Sequence, residues 1–427
     1  MKRTFTTLIF IVLTAVSLSA CDPDGGPGPR ETDAGDGRTQ APSAQAPSAE
    51  PPTPLPTPTP DPRSGRTLVV CIGEEPASLF PFGNPSDAAR SVLQAVYDGP
   101  VDRLDFAHQP VILSKLPSLS DGDAAVQPVP VAVGDGVLAA DGSPVTLTPG
   151  LVVRPAGCYS DACAVAYDGS EGFSMDQISA SFQLLEGLAW SDGSPLTAAD
   201  SIYAFNLARA PETSGSKFKT DRTQNYQQTD DLTVEWRGLP GFMDPAYMTN
   251  FWTPLPEHAW GSIPPADLPG SEMASRSPLS YGPYTVEEWS PGDYIQLRWN
   301  EHYFRAAEGL PKFENLIFRF LQTEPEDSVD QLLSGECDIL DRTLRLDEAA
   351  PGLQDLAGEG RVDFSVESNL DWEQVTFGIL PASFDDGFNG LVDRPNYFGD
   401  PRTRRAIAMC MDREAVLEEV LQGASAI

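Results

Sequence analysis

The stretch LAWSDGSPLTAADSIYAFNLA, residues 188–208, contains a tight turn followed by the start of a helix. Ser-Asp-Gly is a turn sequence, and Thr197 with Asp200 three positions later is the pattern of a capping box at a helix N-terminus. Ile202 and Phe205 follow at helical spacing and form an apolar side. The preceding ISASFQLLEG, residues 178–187, alternates as a strand does. The sequence therefore predicts a strand, a turn and a capped helix that pack on a common core.

Strand and helix signals alternate along the rest of the folded part of the chain. TLVVCIG (67–73) has the composition of a buried strand, and SDAARSVLQAVYDG (86–99) is typical of a helix capped by Ser86. YTVEEW and DYIQLRWN predict two strands joined at Pro291-Gly292, and NLIFRFL predicts another. Short apolar alternations between Gly, Asp and Pro predict small hairpins in residues 121–170. The chain is therefore expected to mix α and β structure, with strands that pair across long separations.

Composition limits the classes of function. The 427 residues are 41% hydrophobic, which is enough for two or three domains with cores of their own. The formal net charge of −34 argues against a nucleic-acid partner, because binding a phosphate backbone needs clusters of Lys and Arg. It argues equally against an anionic membrane face, and a solvated acidic surface is the simpler interpretation.

The first residues predict export. Lys2 and Arg3 precede an apolar run, 7–20, which is too short to span a bilayer but has the length of a signal-peptide core. The run ends in LSAC, which resembles the lipobox of bacterial lipoproteins, so we expect a signal peptide of residues 1–20 and lipidation of Cys21. An ordinary signal peptide with a chance cysteine is the alternative. Residues 21–65 are rich in Pro and poor in large apolar side chains, which predicts a disordered linker between a lipid anchor and the folded body.

The other cysteines fit an oxidising compartment. Cys158 and Cys163 close the short loop CYSDAC, for which we expect a disulfide. A metal site there is disfavoured, because no second Cys or His pair stands near in the sequence. Cys71, Cys337 and Cys410 lie in apolar strand or helix patterns, and we interpret them as buried thiols or as pairs that the sequence does not assign.

The sequence contains no constellation that selects a catalytic reaction. His108, His258 and His302 are the only histidines and stand far apart, so the metalloprotease pattern is absent. Neither a G-x-S-x-G elbow nor a Gly-Lys phosphate loop occurs. No cofactor and no metal ion are therefore expected. The abundant carboxylates still permit a two-carboxylate hydrolase in principle, although nothing selects a pair.

Six motifs stand in order along the chain: GEEPASLFP, QISASFQLLEGLAWSDGSPLTAADSIYAF, TPLPEHAW, YGPYTVEEWSPGDYIQLRWNEHYF, GECDIL and DPRTRRAIAMCMDREAVLEEVLQG. In these motifs and their order the chain resembles solute-binding protein family 5, the peptide-type receptors of bacterial ABC importers. Together they cover about residues 67–423. Any one motif alone is weak, and the common order of all six makes the resemblance specific.

The resemblance implies an α/β fold of the periplasmic-binding-protein type, a two-lobed clamshell with discontinuous lobes and a small extra domain. The main lobe is expected at 66–98 and 231–340, the extra domain at 99–230, and the start of the second lobe at 341–427. Family members continue well beyond the position that matches Gly423. The resemblance therefore also predicts an incomplete second lobe.

The same resemblance implies a function and candidate site residues. A peptide or peptide-like solute would be captured between the lobes and delivered to a membrane permease, by a monomer held at the outer face of the cytoplasmic membrane or in the periplasm. Relatives contact ligand with the loop after the first strand, so Glu75 is a candidate acceptor and Ala77 a candidate backbone contact. Phe218 and Trp372 are candidate aromatic walls. A solvated turn residue for Glu75 and core packing for the aromatic residues are the alternatives, as are an exported hydrolase and a ligand sensor for the whole protein.

Overall fold

The computed structural model describes residues 61, 63–104, 106–321, 325–346, 349–364, 377 and 398–419 of the chain. Cys21 and Trp372 therefore lie outside the described residues, as do the predicted signal peptide and most of the predicted linker. The strands are β1 (Thr67–Ile72), β2 (Val101–Leu104), β3 (Ala107–Pro110), β4 (Ala124–Pro130), β5 (Gly136–Leu138), β6 (Pro144–Thr146), β7 (Val152–Val153), β8 (Val165–Ala166), β9 (Ser174–Gln183), β10 (Thr223–Gln228), β11 (Thr233–Gly238), β12 (Tyr284–Ser290), β13 (Tyr294–Trp299), β14 (Asn315–Phe320) and β15 (Ile339–Leu340).

The helices lie between and after these strands. They are α1 (Asp87–Val96), α2 (Ala198–Arg209), α3 (Glu257–Trp260), α4 (Glu272–Ser275), α5 (Pro325–Ser334), α6 (Ala350–Gly358), α7 (Pro401–Cys410) and α8 (Arg413–Glu419). Within the described ranges, none of these helices combines the length and the apolar character that crossing a bilayer requires.

The larger sheet has the strand order β12-β13-β14-β1-β15. β1 pairs in parallel with β14, Val69 opposite Ile317, and in parallel with β15, Val70 opposite Ile339. β12, β13 and β14 pair antiparallel, and the turn between β12 and β13 contains the predicted Pro291-Gly292 step. The first strand of the folded body is thus an inner strand of a sheet whose other strands lie more than two hundred positions later.

Both faces of β1 are covered, which explains its apolar sequence. Ile72, on one face, belongs to a large apolar cluster that includes residues of α1 and alternate residues of β14. These residues are Val92 and Val96 of α1 and Leu316, Phe318 and Phe320 of β14. Cys71 on the other face packs with Leu321, Cys337 and Leu344. The face of β14 that carries Leu316, Phe318 and Phe320 is therefore buried, and α1 covers the sheet on that side.

A second sheet has the order β10-β11-β9-β4, with all neighbours antiparallel. Its long inner strand, β9, contributes Phe182 to the same apolar cluster as the larger sheet, together with Val234 and Trp236 of β11. The predicted domain boundary at residue 231 falls within the β10–β11 hairpin. The division of the chain into lobes and an extra domain stays a prediction.

Short hairpins occupy residues 121–170, where the sequence predicts them. β5 pairs with β6 and β7 with β8, and Val137, Leu147, Val153 and Tyr167 form a separate small core beneath them. This core lies against Met175 at the start of β9, so the hairpins are supported by the second sheet.

The turn-and-helix unit around residue 190 converges on one buried carboxylate, that of Asp200. The predicted capping box is present, and Asp200 Oδ2 accepts from the Thr197 backbone N–H at 2.9 Å. The indole Nε1 of buried Trp190 donates to the same oxygen at 3.3 Å, and Oδ1 accepts from the Glu257 N–H at 3.3 Å. Asp200 therefore fixes the turn, the first turn of α2 and the start of α3 relative to one another.

The cysteines pair in two ways. Cys158 and Cys163 are bridged, the pair for which the sequence predicts a bond, and Cys71 is bridged to Cys337 across a separation of 266 positions. Both Cys71 and Cys337 are buried, one on β1 and the other just before β15. The interpretation of Cys410 as a buried or paired thiol is wrong: it is free and exposed on α7, a helix none of whose residues is buried.

The two bridges are expected to differ in their contribution to stability. The double variant Cys71→Ala/Cys337→Ala is expected to lose about 5 kcal/mol of unfolding free energy, because it releases a very long loop in the unfolded chain. Cys158→Ala/Cys163→Ala, which opens a loop with a separation of 5, is expected to lose about 2 kcal/mol. Urea denaturation without reductant measures both values. Equal losses, or a larger loss for the short loop, would contradict the expectation.

Candidate functional site

An open cavity of about 600 Å³ lies where two distant loops meet. One loop is 81–85, which follows β1, and the other is 214–220, which follows α2. Arg90 of α1, Ala208 of α2 and Trp252 complete the lining. A volume of this size is within the range of pockets that hold small ligands.

Each of the two loops carries a glycine where the loops meet. Gly83 and Gly215 both have positive φ, +90° and +124°, which residues with a Cβ rarely adopt. A Cβ built on Gly215 would lie 3.9 Å from the Gly83 backbone nitrogen, an ordinary contact distance, so the backbone angles and not a lack of space favour glycine here. The ammonium of Lys217 holds the second loop in place by donating to the carbonyl oxygens of Ala208, Ala210 and Thr213, at 2.6, 2.8 and 2.8 Å. Lys217 thus satisfies carbonyls at the C-terminal end of α2 and folds the following loop back over it.

Aromatic rings form part of the cavity wall. Trp252 packs edge-on against Phe205 and Tyr226, with 4.7 Å between ring centroids in each pair, so it is anchored in the core. Phe218, the predicted aromatic wall, is 56% exposed, and the guanidinium of Arg222 lies 3.9 Å from its ring centroid. A large exposed apolar ring of this kind is accessible for contact with a ligand.

Phe218 also lines a second cavity, of about 520 Å³. That cavity is bounded by Arg222 and Phe242 and by the loop that carries the Cys158 bridge. The Phe218 ring thus stands between two open volumes.

Glu75, the predicted ligand acceptor, is bonded to the protein itself. Its Oε1 accepts from the Trp289 indole at 2.8 Å and from Arg276 at 3.4 Å, and its Oε2 accepts from the Gly292 N–H at 2.9 Å. The Arg276 guanidinium in turn lies 4.1 Å from the centre of the Trp289 ring. Burial raises the pKa of Glu75, but the bonds from Trp289, Gly292 and Arg276 outweigh it, and the pKa falls below its ordinary value. Glu75 therefore ties the loop after β1 to the β12–β13 turn.

Ala77 lies in the same loop and is exposed. Its backbone makes no hydrogen bond to the described residues, whereas the next apolar residue, Leu79, is buried and donates its N–H to the Ser275 carbonyl at 2.8 Å. Ala77 thus has backbone groups that a ligand could pair with. Neither Glu75 nor Ala77 lines the cavity, which begins at Pro81, and of the predicted ligand-binding residues that the structure describes only Phe218 does.

Sequence reasoning missed the other polar and aromatic lining residues. Trp252, Arg90 and Lys219 line the cavity but stand outside any motif that carries chemistry. Lys219 lies one residue from Phe218, which is the one signal that could have found it. Its amine donates to Thr249 Oγ1 at 3.2 Å and to the Thr249 carbonyl at 3.4 Å, and desolvation of the amine lowers its pKa, although Asp244 opposes the shift.

Residues 170–426 match the family model described as "Bacterial extracellular solute-binding proteins, family 5 Middle". The chain belongs to this family. The match starts just before β9 and includes the turn-and-helix unit on which the sequence prediction rests. The predicted family is therefore confirmed.

Relatives and solved structures agree with family 5. The oligopeptide-binding protein AppA of Bacillus subtilis is 23% identical over 245 residues, which are 56% of this chain and 40% of AppA. A putative ABC transporter peptide-binding protein of Brucella ovis is 25% identical over 306 residues, 69% of this chain and 53% of its own. The chain thus spans about half the length of the curated relatives it matches.

The solved structures establish the fold. AppA of Bacillus subtilis in complex with a nonapeptide superposes with a TM-score of 0.50 at 17% identity, covering 84% of this chain and 56% of AppA. NikZ of Campylobacter jejuni in complex with Ni(L-His) superposes with a TM-score of 0.51 at 16% identity, covering 86% and 56%. The predicted fold class is confirmed: it is that of the family 5 periplasmic binding proteins, which are two-lobed α/β clamshells.

The Glu75 contacts predict a pH-dependent loss of stability. Glu75→Gln is expected to lower the free energy of unfolding by about 1–3 kcal/mol at pH 7, because the charged acceptor is lost. The folded pKa is depressed, so this stabilisation is present above the ordinary value of 4.5 and disappears as the pH falls through the folded value. The gap between wild type and variant, measured by urea denaturation from pH 7 to pH 3, should therefore close in acid. Glu74→Gln, at the exposed neighbouring position, is the control and should have little effect, and a gap that stays constant with pH would contradict the assignment.

Proposed function

We propose that this family 5 protein captures a peptide or peptide-like solute and delivers it to the permease of an ABC importer. The observation that carries the proposal is the open cavity between loops 81–85 and 214–220, with the exposed Phe218 ring on its wall. Ligand bound there would contact two segments that are far apart in the sequence. Binding between such segments can favour one conformation over another, and a permease can recognise that conformation.

The loop after β1 supports binding of an extended ligand. Glu75 holds this loop against the β12–β13 turn, while the exposed backbone of Ala77 keeps its N–H and C=O available. A peptide can pair with such groups as an added strand, which recognises its backbone without selecting a sequence. Glu75 would then act as a positioning residue rather than as the acceptor predicted from the sequence.

The cellular arrangement is part of the same proposal. Lipidation at Cys21 would anchor the protein outside the cytoplasmic membrane, and the Pro-rich residues 21–65 would act as the tether. The protein would work as a monomer and without catalysis. An exported hydrolase and a sensor that signals to another protein are the competing functions, and the experiments below separate them.

Removal of the Phe218 ring tests the cavity. A pool of tetrapeptides is first screened for a rise in the midpoint of thermal unfolding, since a ligand that binds the folded state stabilises it. For the peptide with the largest effect, Phe218→Ala is expected to raise the dissociation constant about tenfold in titration calorimetry, because a stacked aromatic contact is lost. Phe106→Ala is the matched control, since Phe106 is 60% exposed but does not line the cavity.

Four outcomes would contradict the proposal. No peptide of the pool stabilises the protein, or Phe218→Ala and Phe106→Ala have the same effect on affinity. The third is hydrolysis of the bound peptide, detected by mass spectrometry after prolonged incubation, which would favour the hydrolase. Unchanged uptake of that peptide in cells that lack the protein would favour the sensor over the transport component.

A further inference from the structure

The charge of the cavity is opposite to that of the protein as a whole. The chain has 62 Asp and Glu residues against 28 Lys and Arg, yet the ionisable side chains on the cavity wall are Arg90 and Lys219, and no described Asp or Glu lines it. An acidic chain with random placement of charge would put carboxylates on a surface of this size. The exclusion of carboxylates from this wall is therefore a feature of the cavity and points to its ligand.

Lys219 has no carboxylate partner within ion-pair distance among the described residues. Its amine is directed at the backbone and hydroxyl oxygens of Thr249, which use two of its three donors. Desolvation of the amine lowers its pKa and the nearby Asp244 carboxylate opposes that shift, while the side chain as a whole is exposed to solvent. A negative group placed beside the amine would satisfy the remaining donor.

Among the described residues, Arg90 shares its counter-ion with a second arginine. Its Nη1 lies 2.7 Å from Asp87 Oδ1, and Nη2 of Arg342 lies 3.3 Å from that same oxygen. The three side chains together keep a net positive charge, so Asp87 does not neutralise the Arg90 end of the cavity. Lys219 and Arg90 stand on the two different segments that the cavity separates, α1 after the first loop and the loop after α2.

The rest of the wall is mixed: Asn84, Ser214, Ser216 and Thr220 supply polar side chains. Phe82, Phe218 and Trp252 supply rings, and Pro81 and Pro85 supply aliphatic surface. The rings can bind an apolar or aromatic group, whereas the two cations bind an anion. The cavity thus combines two requirements that a single amphipathic ligand would meet.

We infer that this cavity selects ligands that bear a carboxylate next to an apolar group, with Lys219 as its main charged contact. The inference rests on the proposed function and adds a substrate class to it. Both the terminal carboxylate of a peptide and an acidic side chain have this chemistry. The experiment distinguishes the two sources by removing each in turn.

The test uses the full chain and four related tetrapeptides. Ala-Phe-Glu-Ala and Ala-Phe-Gln-Ala are each titrated with a free C-terminus and as the C-terminal amide. Removal of the carboxylate that contacts the cavity is expected to weaken binding about tenfold. This difference in affinity between the acidic peptide and its neutral analogue should become smaller when the salt concentration is raised from about 0.05 to about 0.5 M. A side-chain carboxylate is identified by the Glu/Gln pair, and a terminal carboxylate by the acid/amide pair.

Variants connect the preference to Lys219. Lys219→Met is expected to bring the affinities of the preferred peptide and its neutral analogue within about twofold of each other, and Lys219→Arg, which keeps the charge, should restore most of the difference. Arg90→Gln should reduce the preference for the carboxylate less than Lys219→Met does, because the ion pair with Asp87 already offsets part of the Arg90 charge. Lys312→Met, an exposed lysine outside the cavity, is the matched control and should leave the preference unchanged. Circular dichroism in the near ultraviolet verifies that each variant is folded.

The outcomes separate this inference from the proposed function. If the peptides bind but all four have the same affinity, or if the preference survives in folded Lys219→Met, the inference is overturned and peptide capture stands. A preference for the neutral analogues overturns it in the same way. If none of these peptides and none of the screened pool binds the wild-type chain, the proposed function itself fails and takes the inference with it.

Discussion

The parallel pairing of β1 with β14 is the constraint on which the rest of the structure depends. Thr67 stands opposite Asn315, 248 positions away, and β15 pairs with the other edge of β1. In the sequence, α1, α2 and the whole second sheet therefore lie between β1 and β12. They form one long insertion between two strands of the larger sheet. A pairing of such long range costs loop-closure entropy, and the shared apolar cluster, the covered faces of β1 and the Cys71–Cys337 bridge are what offset it.

The two loops that border the cavity are each fixed by a charged side chain. The loop after β1 is fastened by Glu75 to the β12–β13 turn, and the loop after α2 is fastened by Lys217 to the end of that helix. Glu75 and Lys217 each form their hydrogen bonds with the protein itself, so these bonds hold the loops and do not contact a ligand. A loop that is already ordered loses less conformational entropy when it binds. Charged residues near a binding site can thus matter for affinity without touching the solute.

Local patterns in the sequence predicted most of the helices and strands, but they could not predict contacts between residues that are far apart in the sequence. The capped helix α2, the turn at Pro291-Gly292 and the buried face of β14 depend on neighbours within a few residues, where spacing carries the information. The partners of Glu75 lie 201 to 217 positions away, so a carboxylate that looked free to accept from a ligand is occupied. The prediction that Cys410 is buried or paired was wrong for a related reason: an apolar pattern around a residue does not show whether another element covers its helix. The only signal in the sequence for Lys219 is its neighbour Phe218, because the charges on the cavity wall are brought together by the fold.

The cationic cavity and the acidic chain are compatible because electrostatic effects have a short range in salt. A net charge of −34 repels anions at a distance, but the screening length at physiological ionic strength is about 8 Å. Inside that distance the nearest charges dominate, and on the cavity wall these are Lys219 and Arg90. The overall charge would then govern solubility and the rate of encounter, whereas the choice of ligand would be made by two side chains.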